Sequence, residues 1–222
     1  MVKVLASARR HRFAPVVLML FALLAVGGVY AVAAPQPAAA DAASADDVET
    51  GEKLFQANCA SCHGPSAEGR DQIAPSLIGV GAAAVHFQVS TGRMPMAANA
   101  PQAPAKNPQF DATATRQLAA FVATLGPGPS SPDSEQVDPA LGDAANGMLV
   151  FRTNCAMCHN AVGAGGALSD GKYAPSLFAS SPQEIYEAML TGPQSMPVFN
   201  DANITPEAKR DVIAYLMEQR AD

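Results

Sequence analysis

The sequence predicts a mainly α-helical protein in which two homologous domains follow an N-terminal transmembrane helix. Three observations support this fold class. A mostly apolar segment of 21 residues begins at residue 14. The rest of the chain contains the same succession of motifs twice, on either side of a break rich in glycine and proline. No stretch shows the alternation of apolar and polar residues that indicates a β-strand.

The N-terminal segment predicts a membrane anchor. Residues 1–13 form a basic segment without acidic residues, and residues 14–34 are long enough to cross a ~30 Å hydrocarbon core as a helix. The positive-inside rule places residues 1–13 in the cytoplasm and the later domains on the outer side of the cell membrane. A cleaved signal peptide is the alternative, because residues 38–40 are small enough for a peptidase.

Two segments without apolar periodicity divide the remaining chain. Residues 35–46 are rich in proline and alanine and are typical of a tether. Residues 126–133 contain glycines and prolines that cannot continue a helix. These breaks predict a first domain at 47–126, a linker at 127–140 and a second domain at 141–222.

The repeated motifs occur in the same order in both halves. They are a Phe-x-x-Asn-Cys-x-x-Cys-His segment, an Ala-Pro-Ser-Leu segment and a Thr-Gly turn followed by Met-Pro. The copies lie at 55–63 and 151–159, at 74–77 and 174–177, and at 91–95 and 191–197. Each half then ends in a helical pattern, with Leu118, Phe121, Val122 and Leu125 in the first and Val212, Tyr215 and Leu216 in the second.

Charge excludes one class of partner. All 20 acidic residues follow residue 40, together with only 10 of the 14 lysines and arginines. Nucleic-acid binding requires a basic surface, so no nucleic-acid partner is expected.

The four cysteines, Cys59, Cys62, Cys155 and Cys158, occur in two Cys-x-x-Cys-His units. This is the pattern of c-type haem attachment, in which two thiols add to one porphyrin and the next histidine ligates the iron. His63 and His159 are therefore the predicted proximal ligands of two covalently bound haem c groups. A disulfide in each pair would not explain the histidines, and zinc needs four ligands where each unit supplies three.

An electron-transfer haem needs a sixth ligand, and methionine in that position raises the reduction potential. The second domain has no spare histidine. Met196 lies on an extended Thr-Gly…Met-Pro segment and is preferred there. The other methionines fall in helical patterns or, for one of them, inside the attachment loop: Met148, Met157, Met189 and Met217.

In the first domain, Met94 has the same Thr-Gly…Met-Pro context and is the preferred ligand. Met96 and His86 remain the alternatives. His86 aligns with Tyr186 when the two Thr-Gly turns are superposed, which favours a position on a helix before the loop. Catalytic residues are not predicted, since each iron would have two protein ligands and no open position.

Residues that support the haems are also predicted from the repeat. The carbonyls of Pro75 and Pro175 can accept the proximal imidazole N–H and fix its orientation. Gly51 and Phe55, like Gly147 and Phe151, are four residues apart and share one helix face. A glycine there allows a second helix to approach, with Phe121 and Tyr215 as candidate aromatic partners.

These motifs resemble two class I cytochrome c domains in tandem. The loops at 75–95, 165–175 and 189–199 further resemble the dihaem cytochrome c subunit of the actinobacterial cytochrome bcc complex, a menaquinol–cytochrome c reductase. The resemblance implies electron transfer from a Rieske iron–sulfur subunit to the copper centre of a terminal oxidase, within a respiratory supercomplex that also contains a cytochrome b subunit. Members of that family typically have a second hydrophobic span after the second domain, and this sequence has none before Asp222.

Two further functions are compatible with the motifs. A free-standing, membrane-tethered dihaem carrier would pass electrons between a dehydrogenase and an oxidase. It differs from the reductase subunit in its partners. A dihaem peroxidase would need an open or histidine-switched haem, which the scarcity of histidines disfavours. The chain alone is therefore expected to have no substrate site, and to act in an enzyme only as its electron-transfer subunit.

Overall fold

The computed structural model describes residues 13–33, 43–98 and 100–221. The chain divides into two compact units, Met1–Ala39 and Ala40–Asp222. The basic segment predicted at 1–13, except for Phe13, and most of the tether predicted at 35–46 lie outside the described residues.

The first unit contains helix α1, Ala14–Ala33. Within the described part of the chain, no helix combines the length and the apolar character needed to cross a membrane. The predicted transmembrane helix at 14–34 is therefore wrong. The membrane location predicted from it, with residues 1–13 in the cytoplasm, is overturned by the same finding.

The second unit is mainly helical and contains both copies of the repeat. The first copy forms four helices: α2 (Ala45–Asn58), α3 (Ala60–His63), α4 (Gly81–Ser90) and α5 (Ala112–Ala123). The second copy forms α7 (Ala144–Asn154), α8 (Ala156–His159), α9 (Pro182–Thr191) and α10 (Pro206–Ala221). The segment between the two copies contains a short helix α6 (Ser134–Val137) and a 3₁₀ turn at Pro139–Leu141.

The second copy also has a small β-hairpin that the sequence did not predict. Strands β1 (Gly166–Ala167) and β2 (Tyr173–Ala174) pair antiparallel, with Gly166 opposite Ala174. Two residues per strand are too few to produce a visible alternation of apolar and polar side chains. The hairpin forms the segment that leads to Pro175.

The long helices begin at side chains that cap them. Asp143 accepts hydrogen bonds from two backbone N–H groups of α7, and Asp111 accepts one from Ala114 of α5. Thr205 Oγ1 accepts from Ala208 N at 3.2 Å, as expected for the residue before Pro206 at the start of α10.

In each copy the first and last long helices cross at a glycine. A Cβ atom added to Gly51 in α2 would lie 1.9 Å from the carbonyl oxygen of Gln117 in α5. A Cβ on Gly147 in α7 would lie 1.9 Å from the carbonyl oxygen of Asp211 in α10. Helix backbones in such close contact leave no room for any side chain at these positions.

An aromatic pair lies next to each crossing. The ring centroids of Phe55 and Phe121 are 5.3 Å apart, and those of Phe151 and Tyr215 are 5.6 Å apart, both in tilted arrangements. Phe55 and Phe151 are both 1% exposed and belong to the two separate apolar clusters of the unit. The crossings predicted from the Gly-x-x-x-Phe spacing are therefore present in both copies.

Candidate functional site

Each Cys-x-x-Cys-His unit forms a single helical turn directly after a long helix. In the first copy, Cys62 N and His63 N donate to Cys59 O at 3.1 and 2.9 Å. Cys158 N and His159 N donate to Cys155 O at the same two distances. The turn brings two thiols and an imidazole together, and it does so with the same backbone hydrogen bonds in both copies.

A proline carbonyl holds the histidine of each unit. Nδ1 of His63 lies 2.8 Å from the carbonyl oxygen of Pro75, and Nδ1 of His159 lies 3.0 Å from that of Pro175. A carbonyl oxygen can only accept, so Nδ1 carries the hydrogen and Nε2 keeps a free lone pair. Nε2 of each ring is therefore the nitrogen available to a metal ion.

The proline segments are fixed by matching backbone hydrogen bonds. Leu77 N donates to Ala67 O at 2.8 Å, and Leu177 N donates to Gly163 O at 2.8 Å. These bonds anchor the residue two positions after each proline to the loop that follows the histidine. The orientation of both imidazoles thus depends on loops of 12 and 16 residues that end in the same Ala-Pro-Ser-Leu motif.

All four cysteines are free thiols. Burial, followed by the neighbouring thiol, raises the pKa of Cys59 to about 11, and the same two causes raise the pKa of Cys155 to about 11. One thiol of each pair is therefore protonated at neutral pH, whereas zinc ligation requires thiolates. In the described residues, no cluster of His, Cys, Asp or Glu side chains is suited to hold a bare metal ion.

The second copy encloses a cavity of about 290 Å³. Its wall includes Cys155, Cys158 and His159, and it also includes Pro175 and Met196. The remaining wall is largely apolar, with aromatic and aliphatic side chains from α7, α9 and α10. The structure thus brings together, around one cavity, all five residues that the sequence predicted for the second site.

His159 is 9% exposed in this cavity. Burial lowers the pKa of His159, and the hydrogen bond to Pro175 acts in the opposite direction. The imidazole is therefore held in its neutral form, which is the form that binds metals.

Among the other methionines of the second copy, Met157 and Met189 also line the cavity, whereas Met148 and Met217 are not among its lining residues. Met157 is 94% exposed. Met189 is 2% exposed and belongs to the buried apolar cluster against which Met196 also packs.

The first copy has the same local geometry with a more open setting. Cys59 and Met94 pack against one apolar cluster, whereas Cys62 is exposed and His63 is half-buried. Met96 is half-buried. His86, the alternative ligand, lies on α4 with Nδ1 2.7 Å from Oε2 of Glu187 in the other copy.

The cavity of the second copy is also lined by three residues of the first copy that the motif analysis missed. Phe87, Arg93 and Gln102 come from the first copy and complete its wall. Gln102 Nε2 donates to Tyr173 O at 2.6 Å, and Tyr173 N donates to Gln102 Oε1 at 3.1 Å. No motif of the sequence indicates these contacts, because they join residues about 70 positions apart.

The residues around the cavity fit a covalently attached haem. Two thiols on one helical turn can form thioethers, His159 Nε2 has a free lone pair, and Met196 offers a thioether sulfur. A volume of about 290 Å³ is close to the lower end of the range for cofactor pockets, roughly 300–1,000 Å³. The mostly apolar wall matches a porphyrin face.

This fold and these attachment segments define a c-type cytochrome with two cytochrome c domains. Residues 46–122 and 142–216 each match the family described as "Cytochrome C oxidase, cbb3-type, subunit III". Domains of this class bind haem c.

Similar proteins narrow the family. The chain is 48% identical over 214 residues to the cytochrome bc1 complex cytochrome c subunit of Mycobacterium tuberculosis, covering 93% of this chain and 76% of that protein. The subunits of Mycobacterium leprae (46% identity, 90% and 71%) and Corynebacterium diphtheriae (44%, 76% and 65%) are also similar. The chain belongs to the family of cytochrome bc1 complex cytochrome c subunits, the actinobacterial cytochrome bcc family that its loops resemble.

Proposed function

We propose that this chain binds two haem c groups, one in each domain, and carries electrons as a subunit of a quinol–cytochrome c reductase. The first haem is attached at Cys59 and Cys62, and the second at Cys155 and Cys158. The domains are taken to extend over 47–126 and 141–222, with a linker at 127–140.

The proposed axial ligands are one histidine and one methionine for each iron. They are His63 and Met94 in the first domain, and His159 and Met196 in the second. The position of Met196 in the same cavity wall as His159 supports the second pair. The Thr-Gly…Met-Pro repeat and the packing of Met94 against the same apolar cluster as Cys59 support the first.

The observation that carries the proposal is the convergence of two thiols, an oriented imidazole and a methionine on one apolar cavity. When bound, haem supplies an iron that accepts and releases one electron. The protein contributes the rest: Pro175 holds the N–H of His159, and the apolar wall limits access of water. With both axial positions taken, substrate has no place to bind, which favours electron transfer over catalysis.

Membership of the family supports a role inside a larger assembly. We propose that the chain receives electrons from a Rieske iron–sulfur subunit of a menaquinol–cytochrome c reductase that also contains a cytochrome b subunit. We further propose that it passes them to the copper centre of a terminal oxidase in a respiratory supercomplex. The relatives are named as subunits of the cytochrome bc1 complex, and this name supports the assignment to a reductase.

Haem content is the first test. A pyridine haemochrome assay on the purified chain, combined with mass spectrometry of its tryptic peptides, is expected to give two haems per chain, with one on each Cys-x-x-Cys-His peptide. One haem, or none, contradicts the proposal.

The second test concerns the partners. Affinity purification of the tagged chain under mild detergent is expected to retain a cytochrome b, an iron–sulfur protein and oxidase subunits. A double variant, Cys155→Ala/Cys158→Ala, serves as a control for the need of the second haem. Recovery of the haem-loaded chain without cytochrome b would instead support a free-standing electron carrier.

A further inference from the structure

The first domain contributes a charged side chain to the haem cavity of the second. Arg93 lies on the loop after α4, yet it lines the cavity that contains Cys155, His159 and Met196. It is 9% exposed, and its guanidinium carbon lies 4.8 Å from the centroid of the Phe87 ring. Phe87 lines the same cavity, so the ring supports the guanidinium at the cavity wall.

A buried cation requires compensation by an opposite charge. Three acid–base pairs lie within 4.0 Å among the described residues, and Arg93 takes part in none of them: Lys53–Glu49, His86–Glu187 and Lys209–Asp201.

Glu184 is the acidic side chain in the same cavity wall, but its oxygens have other partners. Oε2 accepts from Ser181 N at 2.8 Å and completes the capping box of α9. Oε1 accepts from Ser90 Oγ at 3.5 Å. Glu184 therefore compensates Arg93 only from beyond ion-pair distance, and the cavity retains a guanidinium suited to a further carboxylate.

Haem carries two propionate carboxylates, and arginine binds carboxylates through two parallel N–H groups. We infer that Arg93 binds a propionate of the haem in the second domain, so that the first domain completes the second haem site. This inference rests on the proposed function, because it requires a haem in that cavity. Gln102 supports the arrangement, since its two hydrogen bonds to Tyr173 fix the loop of the first domain on the cavity wall.

The inference predicts the effect of removing the charge. A guanidinium paired with a propionate neutralises a negative charge next to the iron, and its loss stabilises the oxidised haem. In the haem-loaded full chain, Arg93→Gln is expected to shift the oxidation equilibrium of one haem about tenfold, which lowers its potential by about 59 mV. Arg93→Lys keeps the positive charge but loses the two parallel N–H groups, and it is expected to lower the potential by a smaller amount.

Arg116→Gln is the matched control, because Arg116 is an exposed arginine of α5 that does not line the cavity. It removes the same charge and is expected to leave both potentials unchanged. Resonance Raman spectra provide a direct readout of the contact, since the propionate bending bands respond to hydrogen bonding. These bands are expected to change in Arg93→Gln and to keep their positions in Arg116→Gln.

The affected haem is identified in a Met196→Ala background, in which the second haem is expected to become high-spin and separately visible in the optical spectrum. A shift confined to the low-spin haem would overturn the inference, since Arg93 would then act on the haem of its own domain. Unchanged potentials and unchanged propionate bands in Arg93→Gln would overturn it as well. A wild-type chain with fewer than two haems would refute the proposed function itself, and the haemochrome assay detects this before any variant is compared.

Discussion

Nδ1 of His86 lies 2.7 Å from Oε2 of Glu187, and this pair joins the two domains across 101 positions of the sequence. Glu187 is fully buried, and its second oxygen accepts from Gln183 Nε2 at 2.9 Å. His86 is also an alternative ligand for the first haem, and its Nδ1 lies in the contact between the domains.

This contact predicts a pH dependence of stability. Burial raises the pKa of Glu187, and the hydrogen bond from His86 lowers it by a smaller amount. A carboxyl group with a raised pKa in the folded state binds its proton more tightly than in the unfolded chain. It therefore stabilises the fold below its ordinary pKa of 4.5 and loses that contribution as the pH rises through the higher folded value.

The glutamine of Glu187→Gln cannot lose a proton, so the free energy of unfolding of this variant should not decrease for this reason as the pH rises. The difference between wild type and variant is expected to change by up to about 1.4 kcal/mol per pH unit above 4.5. Urea unfolding at several pH values measures it. Glu218→Gln, at an exposed position of α10, serves as the control, and a parallel pH profile of wild type and Glu187→Gln would contradict the assignment.

Replacing the proposed sulfur ligand should leave an axial coordination position of one haem iron vacant. Met196→Ala is expected to permit carbon monoxide binding at one haem, because the axial position is vacated. Its potential should fall by on the order of 0.1 V, within the roughly 0.8 V range that axial ligands control. Optical spectroscopy and redox titration measure both effects. Met157→Ala, at a position 94% exposed, is expected to change neither, and carbon monoxide binding to that variant would argue against the ligand assignment.

The first domain allows a direct choice between two neighbouring methionines. Met94→Ala is expected to give a carbon monoxide complex, whereas Met96→Ala keeps a six-coordinate haem. The two variants are made separately and examined by the same spectroscopy. The reverse result would assign Met96 as the ligand and break the correspondence with Met196.

The helix crossings should not tolerate any side chain. Gly147→Ala would place a methyl group 1.9 Å from the carbonyl oxygen of Asp211, and α7 and α10 must then move apart. We expect a loss of about 1–3 kcal/mol in the free energy of unfolding, or more. Gly51→Ala should have a similar effect on the first domain. Leu149→Ala, on the exposed face of α7, should cost far less, and equal effects in thermal unfolding would show that the crossing is not tightly packed.

The sequence was sufficient to predict the helix crossing in each copy of the repeat. Gly-x-x-x-Phe spacing predicted the two crossings because helix geometry places residues four apart on one face. The repeat also predicted that a proline carbonyl accepts the N–H of each histidine. Loops of 12 and 16 residues do not by themselves fix the distance between these groups, and only the structure gives the Nδ1–O distances of 2.8 and 3.0 Å. The ligand roles of Met94 and Met196 remain predictions.

Contacts between the domains were outside the reach of motif analysis. The sequence shows Arg93 only as the neighbour of Met94 in a loop. The packing of the two domains places it in the wall of the second domain's cavity. The transmembrane helix at 14–34 was predicted from apolar composition and segment length alone, and the described residues contain no helix that is long and apolar enough to cross a membrane.

The contact between the domains can be dissected with two glutamines. Gln194 Oε1 accepts from Ala103 N at 3.1 Å and its Nε2 donates to Ala103 O at 3.0 Å, while Gln102 makes the equivalent pair of bonds with Tyr173. Each bond contributes about 0.5–1.5 kcal/mol. Gln194→Ala should therefore speed hydrogen exchange at the Ala103 amide roughly 3- to 10-fold. Its effect on the exchange rate of the Tyr173 amide should be smaller.

Gln102→Ala is the reciprocal variant, and it should speed exchange at the Tyr173 amide first. The two variants control for each other, because both remove one amide side chain from the same contact. Amide exchange of the haem-loaded chain, followed by mass spectrometry of peptides around 103 and 173, measures both. Equal acceleration at both amides in either variant would mean that the contact opens as one cooperative unit rather than at two independent points, since local opening is then governed by the whole surface.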